Sequence, residues 1–171
     1  MEKVSTARIA LKWGLIFGLV SIVINTIVYT FNLLEHQMLN GLISLVLSFA
    51  ILYFAFKEFR DLNNGFMKFG QGVGLGSLLF VTAGVLASTY DLVYKRVIDP
   101  TVIEKQLDLI QQQNEKMGMS PEMIEQAMEK SRPFIEGPFA FVIMVLSLAF
   151  IGLLCSLIMA AIMKKNPPVF E

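Results

Sequence analysis

The 171-residue sequence predicts an all-α integral membrane protein. Four transmembrane helices, both termini inside and an extracytoplasmic helical hairpin between spans three and four complete the expectation. Three observations carry it. The chain is 55% hydrophobic and only 16% charged, whereas a soluble domain carries about 25% charged residues. Its mean hydropathy is +0.63. Its charges are segregated, because 13–34, 36–56, 69–90 and 137–163 contain no Asp, Glu, Lys or Arg. A helix rises about 1.5 Å per residue, so about 20 residues cross a hydrocarbon core of roughly 30 Å. Without water the backbone must satisfy its own hydrogen bonds, so each run is expected to be a helix.

The whole chain, 1–171, reads as one membrane domain. Span one is placed at 13–34. Its apolar part is too long for the core of a signal peptide, and no small-x-small cleavage pattern follows, so it reads as a retained anchor. Span two is placed at 40–57, after the turn Glu35-His36. Span three is placed at 68–91 and span four at 138–163. Lys3, Arg8, Lys12, Lys57, Arg60, Lys68, Lys164 and Lys165 flank the ends that would share one side. They outnumber Glu2, Glu58, Asp61 and Glu171, which makes that side the cytoplasm and puts both termini there. Lys95 and Arg96 run against this rule. Trp13, Tyr53, Tyr90 and Tyr94 fall where interfacial aromatic belts are expected.

The hairpin is placed at 99–132. Asp99-Pro100 reads as a cap followed by proline at the first helical position. Ile103, Leu107 and Ile110 recur at helical spacing, and Gly118 stops the helix. Ser120-Pro121 starts a second helix with the stripe Ile124, Ala127 and Met128, which Pro133 ends. The two stripes are expected to pack on each other. Met117, Met119, Met123 and Met128 gather here. Soft thioethers bind Cu(I), but flexible Met also fills irregular apolar surfaces, and the second reading is preferred.

Small residues dominate the expected packing. Gly14/Gly18, Gly70/Gly74 and Gly72/Gly76 lie four apart on helices, and between helices in lipid such residues let backbones approach closely. Spans one and three share a Lys-aromatic-Gly-x-x-x-Gly-Leu start, at Lys12 and at Lys68. Spans two and four share Val-Leu-Ser-x-Ala, at Val46 and at Val145. A duplicated hairpin would align both pairs and bring spans one and three together through Gly14/Gly18 and Gly70/Gly74. Asn25 is the deepest amide and is expected to clamp one helix to another.

The functional inventory is sparse. A net charge of zero argues against nucleic acid. One Cys and one His leave too few residues for a disulfide, a zinc cluster or bis-His haem. No ionisable residue is expected inside a span, which argues against a proton relay or ion path. Glu35-His36 has no nucleophile or metal beside it. No cofactor, metal or catalytic residue is assigned, and the protein is expected not to be an enzyme.

Phe66-Met67-Lys68-Phe69-Gly70-Gln71-Gly72, the third span ending in Tyr94, and Ile98-Asp99-Pro100 carry a family pattern. So does a fourth span ending Ala160-Ala161-Ile162-Met163-Lys164-Lys165. From about Lys12 to Lys165 the chain resembles the bacterial membrane family called domain of unknown function 4199. The resemblance implies a bacterial four-span protein of about this length, hence one of the inner membrane. It brings no activity and no site residues. A non-enzymatic accessory or scaffold subunit is the first expectation, and a small transporter or lipid-handling protein is the alternative. The expected partners are the lipid bilayer and a membrane protein or second copy of the chain.

Overall fold

The computed structural model describes residues 4–167. Glu2, Lys3 and Glu171 of the charge argument lie outside them. Among the described residues there are six α-helices and no strand. They are α1 (Thr6–Thr30), α2 (Gln37–Leu62), α3 (Phe69–Val93), α4 (Thr101–Lys116), α5 (Pro121–Glu136) and α6 (Pro138–Met163). Helices α1, α2, α3 and α6 are long and apolar enough to cross a membrane.

The helix ends differ from the charge-free runs for local reasons. Helix α1 starts seven residues before the expected position, where the Ser5 hydroxyl accepts from the Arg8 N–H at 3.3 Å. It stops at Thr30, and Asn32 then adopts a left-handed φ of 53° before a short 3-10 turn, Leu33–Glu35. Helix α2 runs on to Leu62, so Glu58 lies within it. Helix α3 starts where the Gln71 side chain accepts from the Lys68 N–H at 2.9 Å. It continues past the expected end, carries Asp91, and runs into a π-helical turn, Tyr94–Ile98. Helices α2 and α3 thus carry ionisable residues, Glu58 and Asp91, near the ends of the expected spans. Charge-free runs mark where charges are absent, and helices continue wherever a charge finds a partner.

Helix α3 forms the centre. Its buried residues recur along its whole length, from Gly72 to Asp91. It meets α1 on one side and α6 on the other. A Cβ at Gly14 would come within 2.7 Å of the Leu79 carbonyl oxygen, and one at Gly18 within 2.8 Å of Leu86. A Cβ at Gly72 would approach Ala160 to 2.8 Å, and one at Gly76 the Ser156 Cβ to 2.7 Å. Those four glycines allow the close approach that helices need in lipid. Gly70 and Gly74 are a correction: nothing lies within 4 Å of a Cβ placed on either. The α1–α3 contact uses one glycine pair set against Leu79, Thr82 and Leu86. Gly14 and Gly18 meet Thr82 and Leu86, about three turns beyond Gly70 and Gly74, so the two glycine pairs cannot share one seam.

The bundle is tight at one end and splayed at the other. At the tight end Leu52, Ala55, Phe56, Phe59, Met67, Leu75 and Leu79 are fully buried. The Lys12 ammonium donates to Glu58 at 2.5 Å, and the Trp13 indole N–H donates to the same carboxylate at 2.7 Å. Met67 and Lys165 exchange two backbone hydrogen bonds at 2.9 Å, tying the α3 entry to the α6 exit. Toward the other end, α2 has no buried residue from Gln37 to Leu47, and α6 has none from Phe139 to Phe150.

The hairpin closes over the splayed end. Helix α4 ends in a Schellman motif. Gly118 takes φ 75°, its N–H bonds the Glu115 carbonyl at 2.9 Å, and the Met119 N–H bonds the Asn114 carbonyl at 3.2 Å. Helix α5 starts at the Ser120 cap and runs through Pro133 to Glu136, three residues beyond the expected end. Helices α4 and α5 pack on each other, and Leu107 in the α4 stripe is buried. Val102 is buried against Tyr29 and Tyr94, Ile110 faces the ends of α1 and α2, and α5 has no buried residue. The hairpin thus holds together through α4 against α5, and Val102 and Ile110 carry its contact with the bundle.

Candidate functional site

The splaying of α2 leaves a crevice between α1, α2 and α6. Its mouth has a volume of about 620 Å³ and lies between Ile24, Val28, Leu34, Ile43 and the α4 residues Gln106, Leu109 and Ile110. Its deep part, about 460 Å³, lies between Phe17, Ser21, Leu45, Ser48, Phe80, Leu148 and Ile151. The two adjoin at Ile24, Asn25 and Ser44, which line both. From Gln37 to Ser48 its wall on α2 is about 16 Å long at the helical rise.

Helix α4 roofs the mouth through three ties. Lys105 donates to the Asn32 side-chain oxygen at 2.7 Å. Gln113 donates to Gln37 at 2.9 Å. Val102 sits fully buried over Tyr29 and Tyr94. The start of α4 is set by Asp99, whose carboxylate accepts from the Thr101 N–H at 3.1 Å and hydroxyl at 2.6 Å. The Thr101 hydrogen bonds hold the Asp99 carboxyl below the usual carboxylate range.

A polar cluster braces the wall behind the mouth. The Tyr29 hydroxyl donates to Asp91, and Lys95 pairs with the other Asp91 oxygen at 2.8 Å. Thr26 and the Tyr90 hydroxyl lie 2.6 Å apart. Tyr29 packs on Tyr94 with ring centroids 5.0 Å apart. Tyr94 is 6% exposed and Tyr29 7%, so Tyr94 is an interior residue and not an interfacial belt. The cluster escaped sequence reasoning, although Asp91 and Lys95 stand four apart with tyrosines at 90 and 94. Its decisive member, Tyr29, is distant in sequence.

Asn25 is also corrected. Ser21, Ser44 and Ser48 bond carbonyls one turn back in their own helices. Asn40 bonds the Leu33 carbonyl at 2.8 Å. Asn25 bonds no described residue and clamps no helix. It faces the junction of the mouth and the deep crevice.

The family is decided by the pattern over 12–165. A family described as protein of unknown function (DUF4199) matches those residues. The chain belongs to it. No curated protein and no solved structure matches. Within this DUF4199 chain the matched stretch holds the four long helices from Lys12 onward, the hairpin and every crevice residue. Among the described residues no three of His, Cys, Asp and Glu gather as a metal site requires. Met117 is 70% exposed and Met123 54%, while Met119 and Met128 line a separate groove.

Proposed function

We propose that this DUF4199 protein is a non-enzymatic lipid-handling protein of a bacterial inner membrane, with both termini cytoplasmic. One hydrocarbon chain from the bilayer occupies the crevice. The supporting observation is the shape of that space, roofed by α4 at the hairpin end and bounded by the unpacked first half of α2. Its length of about 16 Å matches one leaflet of a core roughly 30 Å thick. Volumes of this size are those of small-molecule sites.

Native mass spectrometry of the full chain released from gentle detergent tests this. One retained lipid per protein is expected, and Leu148→Trp, which fills the deep part, should release it. Retention unchanged by Leu148→Trp would refute the reading.

The accessory-subunit reading has its own support. A groove of about 870 Å³ is lined solely by hairpin residues, with Met119, Ile124 and Met128 at its apolar centre. Adaptable methionine surfaces suit protein partners. Ile124→Glu should release a co-purifying membrane protein if this groove holds one; an unchanged set of companions would exclude the groove.

A further inference from the structure

The crevice carries a statement about which lipid it holds, and that statement rests on the hydrocarbon-chain reading above. We infer that the ligand is a neutral acylglycerol whose ester carbonyl or hydroxyl bonds the Asn25 amide. Three observations meet here. First, Asn25 lines both the mouth and the deep crevice yet bonds no described residue, while Ser21, Ser44, Ser48 and Asn40 are all engaged with backbone carbonyls. An amide in an apolar wall with no partner costs free energy, and a ligand oxygen removes that cost. Its Nδ2 donates to a carbonyl, and its Oδ1 accepts from a hydroxyl. Second, no charged described residue lines either part. A carboxylate or phosphate placed there would be stripped of water without a counter-charge. Third, the mouth above Asn25 carries the neutral amides Gln37, Asn40 and Gln106.

The depths agree with this chemistry. Asn25 lies five residues before the end of α1 at Thr30, about 8 Å below it at the helical rise. Glycerol hydroxyls then fall under the mouth amides, the ester lies at Asn25, and the acyl tail runs down to Phe17, Leu148 and Ile151. A phospholipid would bring its phosphate toward Glu35 and Asp108 beside the mouth, where Lys105 is already bonded to Asn32.

The test uses the full chain in phosphatidylcholine nanodiscs with two photoactivatable probes. One is a monoacylglycerol with a diazirine in mid-chain, and the other is the fatty acid of the same chain. The monoacylglycerol should label 14–29 and 141–151 saturably, at least about tenfold more efficiently than the acid, the equivalent of one buried polar mismatch. Asn25→Leu should abolish that preference and Asn25→Gln should retain part of it. Leu148→Trp should abolish labelling by both probes. Equal labelling by the two probes, unchanged by Asn25→Leu but lost in Leu148→Trp, would overturn the assignment to Asn25 and leave the chain in the crevice. Labelling that does not saturate, or that survives Leu148→Trp, would overturn the hydrocarbon-chain reading itself.

Discussion

Asp91 and Lys95 have side chains only 9% and 13% exposed, and they pair at 2.8 Å. Removing one partner of a desolvated pair typically costs about 3–5 kcal/mol, because the remaining charge is stranded. Asp91→Asn should therefore destabilise strongly in a chemical-denaturation assay in detergent, and Asp91→Asn with Lys95→Met should recover much of the loss. The glycines allow a second contrast within one helix. At Gly76 a Leu side chain would drive into Ser156 and Leu52, and overpacking a fitted contact costs about 1–3 kcal/mol. At Gly74 the same Leu meets open space and gains about 0.8 kcal/mol of helix propensity. Gly76→Leu should lower the thermal midpoint and Gly74→Leu should hold or raise it. Asp99 gives a pH dependence. Its folded pKa is lowered by Thr101, so its contribution to α4 is complete above the unfolded value of about 3.9 and is lost as pH falls through the lower folded one. Chemical shifts of the Thr101 and Val102 amides should differ between wild type and Asp99→Ala at neutral pH. That difference should shrink below about pH 3.9.

Between elements, Glu58 of α2 ties α1 at the tight end by accepting from both Lys12 and Trp13. Lys12 is 51% exposed in its side chain and Glu58 29%, so solvent screens the pair. A double-mutant cycle of Lys12→Met and Glu58→Gln should give a coupling of no more than about 1 kcal/mol. Trp13→Phe should cost more than the coupling, since the indole loses its bond to Glu58 and its stacking on Phe54, with ring centroids 6.0 Å apart. The same contact shows what the sequence could and could not reveal. The four spans were legible because lipid demands long apolar runs, and the Gly118 stop and Ser120 start were legible because caps are local. Helix ends were not, since the charge-free runs break at Lys12 and Lys57 while α1 starts at the Ser5 cap and α2 runs on to Leu62. The crevice was not legible either, because it follows from the angle of α2 against α1. Asn25 was visible as a deep amide, but the absence of a partner is a property of the packed bundle. The glycine repeat misled for a related reason. Gly14 and Gly18 meet α3, whereas Gly70 and Gly74 face outward, so like sequence at two helix starts need not mean like contacts.

For the molecule as a whole, threading turns on how far the fold offsets the cations beside the hairpin. Lys95 and Arg96 are the cations that oppose a cytoplasmic placement of both termini, since they lie beside the hairpin. Lys95 is paired with Asp91 at 2.8 Å, and Arg96 donates to the Glu136 carbonyl at 3.2 Å. Asp91 and Lys95 stand four apart on continuous helix, so they can pair as soon as that segment becomes helical. Arg96 keeps its charge, since a carbonyl is neutral, and is outnumbered by Arg8, Lys12, Lys57, Arg60, Lys68, Lys164 and Lys165 at the opposite end, where basic residues near span ends favour the cytoplasmic side. Reporters fused after Asn64 should be active in the cytoplasm, and reporters after Gly118 should be active on the exported side. Asp91→Asn leaves Lys95 unpaired and should produce a minor population with the Gly118 reporter inside, which Lys95→Gln in the same chain should abolish. A cytoplasmic signal from Gly118 in the wild type would reverse the threading. It would then place the roofed crevice in the inner leaflet, where the same lipid-binding chemistry would draw on cytoplasmic-side lipid.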